Sequence, residues 1–246
     1  MSVWRALRDE LQPNGVELIT VGLDSLGADG CRAAIEMAQP SHPALIDTHH
    51  QMATRFGVVN IPQSIWIDEQ GMIVRPVESA PPPPTDVAPP PQGADPLPQR
   101  LTDIMAEAAQ IETDPARYHH ALRDWITKGS ESQYALSPEA VIQRSAPLSK
   151  DRAMGHAHFE LACEAVVQNE KGIAVRHFRA AHALVPDSWT YRRQAWSLEA
   201  VEAAGPFARF WQGPSPNAAE SWPYDSDWLT DIRREGPANY YAPWQD

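Results

Sequence analysis

Residues 79–98 read SAPPPPTDVAPPPQGADPLP, and nine of the 24 prolines in the chain fall between positions 81 and 98. Proline has a fixed φ and no amide hydrogen, so this stretch can join neither a helix nor a sheet ladder. Extended, polyproline-like chain is what it can form. It cuts the 246 residues into two parts of different character. A solvated connector explains the composition. A docking motif for a proline-reading domain would want basic residues beside it, and PPPP has none.

The length allows one or two domains with a real core. No window approaches ~18 uninterrupted apolar residues, so no membrane span is expected. The first residues, MSVWRALRDELQ, lack the basic and then apolar regions of a signal peptide. A formal net charge of −12 opposes a nucleic-acid backbone as the main partner, because phosphates are neutralised by clustered Lys and Arg. Cys31 and Cys163 stand far apart, and neither sits in a C-x-x-C or a zinc-ligand spacing. No disulfide framework is expected, and a cytoplasmic location follows from that usage.

Ahead of the proline segment, helical and extended patterns alternate. Val3, Leu7 and Leu11 recur at helical spacing over 2–12, and Pro13-Asn14-Gly15 ends that helix. VELITVGLD (16–24) reads as a buried parallel strand. ADGCRAAIEMA (28–38) fits a helix, HPALID a short strand, and THHQMATRFG a helix capped by Gly57. SIWID and MIVRPV are strands joined through Glu69-Gln70-Gly71, with Gly where a positive φ is needed. That order makes an α/β layer of residues 1–78.

Beyond the segment the chain turns helical. Leu101, Ile104, Met105 and Ala108 define one helix. Asp114-Pro115 and Ser137-Pro138-Glu139 are N-caps followed by Pro at the first helical position. Residues 153–188 read as a helical hairpin within an all-α domain spanning 99–205. Six of the nine tryptophans lie from Trp189 onward, and 206–246 is expected as an irregular tail pinned by its aromatics.

Val58-Val59-Asn60-Ile61-Pro62-Gln63-Ser64-Ile65-Trp66-Ile67-Asp68, followed by the turn to Gly71 and a second strand, resembles the second half of a thioredoxin-like fold. The TlpA/ResA-type thiol–disulfide oxidoreductases and their peroxiredoxin-like relatives share this phrase. VELITVGLD and HPALIDTHHQMATRFGV resemble the strand and helix that precede it there, so the likeness covers residues 1–78. It implies a cis bond before Pro62 and a substrate groove in which Ile61 offers backbone groups to an extended peptide. Protein thiols or disulfides, or a peptide segment, would be the partners. No cofactor is implied.

The chain departs from that family at its centre of chemistry. The attacking thiols there form W-C-x-x-C at the first helix, and this chain has no such pair. The resemblance would place those cysteines, and the strand before them, ahead of Met1. That strand would lie between the ones resembling 16–24 and 64–68. Two readings stay open: a longer reading frame that supplies the strand, or a sheet that is rearranged or borrows a strand. A non-catalytic interaction module is the alternative to a redoxin-type oxidoreductase.

Cys31 follows Gly30 near a helix start, where a thiol pKa can fall, and is the one candidate for a substitute nucleophile. Leu161-Ala162, Ala165, Ala174, Phe178, Ala181 and Pro186 match the spacing of a tetratricopeptide repeat over 153–186. Such a hairpin either offers a protein-binding surface or simply packs a helical domain. The nine histidines show no metal-ligand spacing, and no phosphate loop or nucleophile elbow is present.

Overall fold

The computed structural model describes residues 2–82, 97–145, 147–199, 208–216, 221–242 and 244. Most of the proline segment, 83–96, lies outside the described residues. The architecture is mixed, with four strands and eleven α-helices among the described residues.

Helix α1 (Ser2–Leu11) ends in a 3-10 turn through Pro13, closed by Gly15 at φ 84°. Strand β1 is confined to Thr20–Leu23, shorter than the expected 16–24. Val16 packs instead against the cluster that includes Leu7, Leu11 and Trp66, and Glu17 accepts from Arg8. Helix α2 (Ala28–Ala38) runs to β2 (Ala44–Asp47). Helix α3 (Gln51–Phe56) is closed by Gly57 in the left-handed region. Strands β3 (Gln63–Ile67) and β4 (Ile73–Ser79) form the expected hairpin, with Gly71 at φ 78° in its loop.

The sheet is in two pieces. Thr20 to Leu23 pair in parallel with Ala44 to Asp47, and β3 pairs antiparallel with β4. Among the described residues no backbone hydrogen bond joins the two ribbons.

The helical part consists of α4 (Gln99–Ala108), α5 (Pro115–Lys128), α6 (Pro138–Arg144), α7 (Lys150–Val167), α8 (Lys171–Leu184) and α9 (Trp189–Leu198). Helices α5, α6, α7 and α9 start on side-chain caps: Asp114, Ser137, Ser149 and Ser188 each accept an amide from the first turn. Helices α7 and α8 form the expected hairpin. Ala162, Ala165, Ala174, Phe178 and Ala181 are buried in it, so small side chains bring the helices close and Phe178 fills the gap. Leu161, a repeat position, instead faces outward at 52% exposure.

The irregular tail expected over 206–246 is corrected by two helices, α10 (Ala208–Trp211) and α11 (Trp228–Glu235). Asp227 caps α11 by accepting from Leu229 and Thr230, and Trp228, Leu229 and Ile232 bury its inner face. That spacing is a helical one that the surrounding Pro and aromatic residues obscure in sequence.

Two large apolar cores result, with a small third one of Leu101 and Trp211 between α4 and α10. One joins α7, α8, α9 and α11 around Phe159, Phe178, Trp196 and Ile232. The other draws on both sides of the proline segment: Leu7, Leu11, Trp66 and Ala80 pack with Tyr118, Ala121 and Leu122 of α5. The α/β part is thus roofed by a helix from the other half.

A buried ion pair ties α9 to α11. Arg192 donates to Asp231, and both are buried, at 4% and 1% exposure. The guanidinium also lies 4.0 Å from the Trp189 ring centroid and donates to Glu235. Asp231→Ala leaves this buried cation without its main partner. We expect a loss of about 3–5 kcal/mol in unfolding free energy by urea titration. A loss under ~1 kcal/mol would show that Glu235 alone suffices.

Candidate functional site

The Ile61-Pro62 bond is cis, and Pro62 leads into β3. The buried Asn60 organises the turn: its Oδ1 accepts the Ile61 amide at 2.9 Å. Its Nδ2 donates to the Tyr240 carbonyl at 2.7 Å. Gln63 Oε1 accepts the Val59 amide at 3.2 Å, and the Pro62 carbonyl accepts from Ala80 at 3.1 Å. The Ile61 carbonyl accepts the Tyr241 hydroxyl at 2.9 Å. The shelf at Ile61 therefore carries a piece of polypeptide, the C-terminal segment of the same chain.

That segment is anchored at its far end. The Trp244 ring stands 6.2 Å from Trp66 and 5.7 Å from Tyr118, both near-perpendicular or tilted. The Arg75 guanidinium lies 4.1 Å over it, a cation–π contact in a buried setting. Arg75 is 1% exposed and donates to Glu78 at 2.7 Å.

At the carboxyl ends of β1 and β2, Asp24, Ser25, Asp47 and His50 are all buried. The Asp47 carboxylate is spent on α3, accepting the amides of Gln51, Met52 and Ala53. Asp24 sits where a Cβ on Gly30 would stand 2.3 Å from its Cγ, so only Gly leaves it room. Arg209 donates to Asp24 and to the Gly30 carbonyl, bringing α10 onto α2. Ser25 and His50 share no hydrogen bond, so no serine–histidine pair is assembled. Thr54, His156 and Tyr191 form a closed triangle of 2.8, 2.9 and 3.2 Å between α3, α7 and α9.

The thiols are not poised for attack. The surroundings of Cys31 oppose its candidacy as a nucleophile: burial raises its thiol, helped by Asp24 and opposed by Arg209. Its Sγ fills the space over Gly22, where a Cβ would come within 3.1 Å. Burial pushes Cys163 up to about 12, with Glu160 adding to the rise. Both are free.

No group of three or more metal-ligating side chains occurs among the described residues. Sequence spacing did pass over one pair: His158 of α7 and His177 of α8 meet with Nδ1 atoms 2.8 Å apart. Their ring centroids are 5.1 Å apart, as end-on rings are at that distance, so one donates and the other accepts. The nitrogens point at each other and do not converge on a metal. Asn60, Tyr240 and Tyr241 were also passed over as site residues. The aromatic cluster NYYAPW was visible, but its partner 180 positions away was not.

No family model, no curated protein and no solved structure matches the chain. No helix among the described residues is long and apolar enough to cross a membrane.

Burial lowers His50 to about 4, against the pull of Asp47 and Gln194, and lowers His182 to about 4 against the Tyr191 carbonyl. Both titrate near 6.5 once unfolded, so their stability is whole above that pH and is lost as pH falls towards 4. Glu78 works in the other direction: burial raises it to about 7 despite Arg75, so its contribution is whole below 4.5 and lost as pH rises through 7. We expect urea stability to fall between pH 7 and 5, by about 2 kcal/mol per histidine before the opposing gain from Glu78. His50→Asn should flatten that slope relative to the parent chain; an unchanged slope refutes the assignment. In a timed alkylation at pH 7 read by mass spectrometry, both cysteines should label more slowly than an unstructured thiol, Cys163 the slower. Rapid labelling of Cys31 would restore it as a nucleophile.

Proposed function

We propose that the chain is a thioredoxin-like, redoxin-type protein that acts, through the residues it carries, by binding polypeptide at the Ile61 shelf and not by thiol chemistry. One observation carries the reading: Ile61 and Asn60 hold polypeptide, accepting the Tyr241 hydroxyl and donating to the Tyr240 carbonyl. This is the use of the residue before the proline that the resemblance implies, with the chain's own C-terminal segment as occupant. The raised thiols support the absence of an attacking group in this chain. The α7–α8 hairpin packs as a tetratricopeptide-like unit, and its outer face, with Met154 and Leu161 exposed, is the second surface open to a protein.

A recognition shelf filled in cis should bind the same segment in trans once the cis copy is loosened. The probe is a fluorescent peptide of residues 238–246, ANYYAPWQD. By anisotropy, Tyr241→Phe with Trp244→Ala in the full chain should bind it at least tenfold more tightly than the parent. Adding Asn60→Ala should remove that gain. Tyr241→Phe alone, which deletes one hydroxyl, serves as a mild variant should the pair unfold the chain. Equal, weak binding by all folded variants would make the shelf a plain packing contact.

A further inference from the structure

Two imidazoles meet end to end on the α7–α8 hairpin. His158 and His177 bring their Nδ1 atoms to 2.8 Å, with ring centroids 5.1 Å apart. Both nitrogens therefore lie on the line that joins the rings. The helices are fixed at this level. Phe159 and Phe178, the next residue on each helix, are buried at 0% and 1% exposure. Their rings pack edge to face with centroids 5.5 Å apart. The core thus sets the backbone beneath the two histidines, while the imidazoles themselves are only half-buried. Among the described residues neither ring makes a second hydrogen bond, so each Nε2 is free to carry its ring's N–H.

The arrangement selects among ions. Zinc(II) asks for four ligands that converge from different directions, and calcium and magnesium ask for oxygens. Neither demand is met here. No acidic side chain joins the two histidines in a ligand group. The pair offers two neutral donors and no negative charge to balance a divalent ion, and Arg176 adds a positive charge beside His177. What two facing neutral imidazoles suit is a monovalent ion that takes two ligands in a line. Imidazole is a good ligand for copper, and copper(I) accepts that geometry.

We propose that His158 and His177 form a binding site for one copper(I) ion, held in line between their Nδ1 atoms. A metal–imidazole bond is about 2 Å, so the nitrogens must stand about 4 Å apart. From 2.8 Å that is an opening of about 1 Å, shared between two half-buried side chains within their rotamer wells. Nothing is oxidised or reduced on binding. The one hydrogen between the nitrogens passes through solvent to Nε2 of its own ring, and both Nδ1 lone pairs enter the ion, so no net proton is released. Burial holds His177 below its usual range, with His158 and Arg176 adding to the fall, which leaves its lone pair available at neutral pH. The site shares no residue with the Ile61 shelf, and neither reading depends on the other.

The test uses the full chain carrying Cys31→Ser and Cys163→Ala, which removes the competing thiols. It is titrated with copper(I) in the absence of oxygen, against bicinchoninate as competing chelator. One equivalent should bind, and His158→Gln or His177→Gln should weaken that binding at least a hundredfold. Copper K-edge absorption should carry the signature of two nitrogen ligands in a line. Zinc(II) should bind no more tightly to this chain than to the two histidine variants. Equal copper(I) affinity in all three proteins overturns the proposal and leaves the pair a plain hydrogen bond. A three- or four-coordinate edge overturns it too, since the ion would then sit elsewhere. Should the cysteine substitutions unfold the chain, the unmodified protein decides by nitrogen NMR of its histidine rings. The Nδ1 signals of His158 and His177 should move together within three equivalents of copper(I), one for each thiol and one for the pair; signals that stay in place overturn the proposal.

Discussion

One turn of α9 sets the geometry on which the α/β half depends. The Thr190 amide holds the Val59 carbonyl, and the Gln194 side chain holds the Ser25 amide. Between them they fix the end of one ribbon relative to the beginning of the other, which no sheet hydrogen bond does. The cap on Ser188 starts this helix where the Thr190 amide, one of the free donors of a first turn, points outward. A donor that would ordinarily meet water is used to position a strand. The same helix carries Arg192 into the ion pair with Asp231, so the element that aligns the ribbons is itself held from behind by α11. The helical half is in this sense the frame of the α/β half and not an appendage to it.

Much of the local structure could be read from the residues. Helix starts were legible because Asp114-Pro115 and Ser137-Pro138 carry a cap and a preset φ at adjacent positions, and both function as such. The hairpin loop was legible because Gly71 is needed at positive φ. Spacing of small residues found the α7–α8 pair, although it misplaced Leu161. What escaped depends on long-range pairing. Helix α11 has only eight residues, and its three apolar contacts sit amid Pro and aromatic residues that dilute the period. Ahead of the short β1, Val16 packs against the cluster that holds Leu7, Leu11 and Trp66, a tertiary placement that a local reading does not contain. His158 and His177 meet only once the register of the hairpin is known.

The electrostatics separate structure from chemistry at the candidate site. Groups that carry charge at the strand ends are spent on scaffold: Asp47 on three amides of α3, Asp24 on Arg209. Groups that could exchange a proton are held neutral by burial, His50 and His182 downward, Tyr191 and both thiols upward. A nucleophile needs a thiolate or an adjacent base. Here the buried imidazoles of His50 and His182 are made less basic, and the two thiols and Tyr191 less acidic, by burial. Burial on both sides of the reaction moves the pair apart in the unproductive direction.

What the site retains is hydrogen bonding: the Ile61 carbonyl and the Asn60 side-chain amide, which hold the chain's own C-terminal segment. Ile61 has its amide closed off by Asn60, leaving only its carbonyl to meet a donor, while Asn60 Nδ2 is left to meet an acceptor. One donor and one acceptor at a fixed spacing hold a chain segment in place. The C-terminal segment satisfies both and then inserts Trp244 against Trp66 and Arg75. Because Trp66 belongs to β3 and to the core shared with α1 and α5, the segment on the shelf packs against that core as well. The shelf and the β3–β4 ribbon that bears it are thus joined through one packed cluster of Trp66, Arg75, Tyr118 and Trp244.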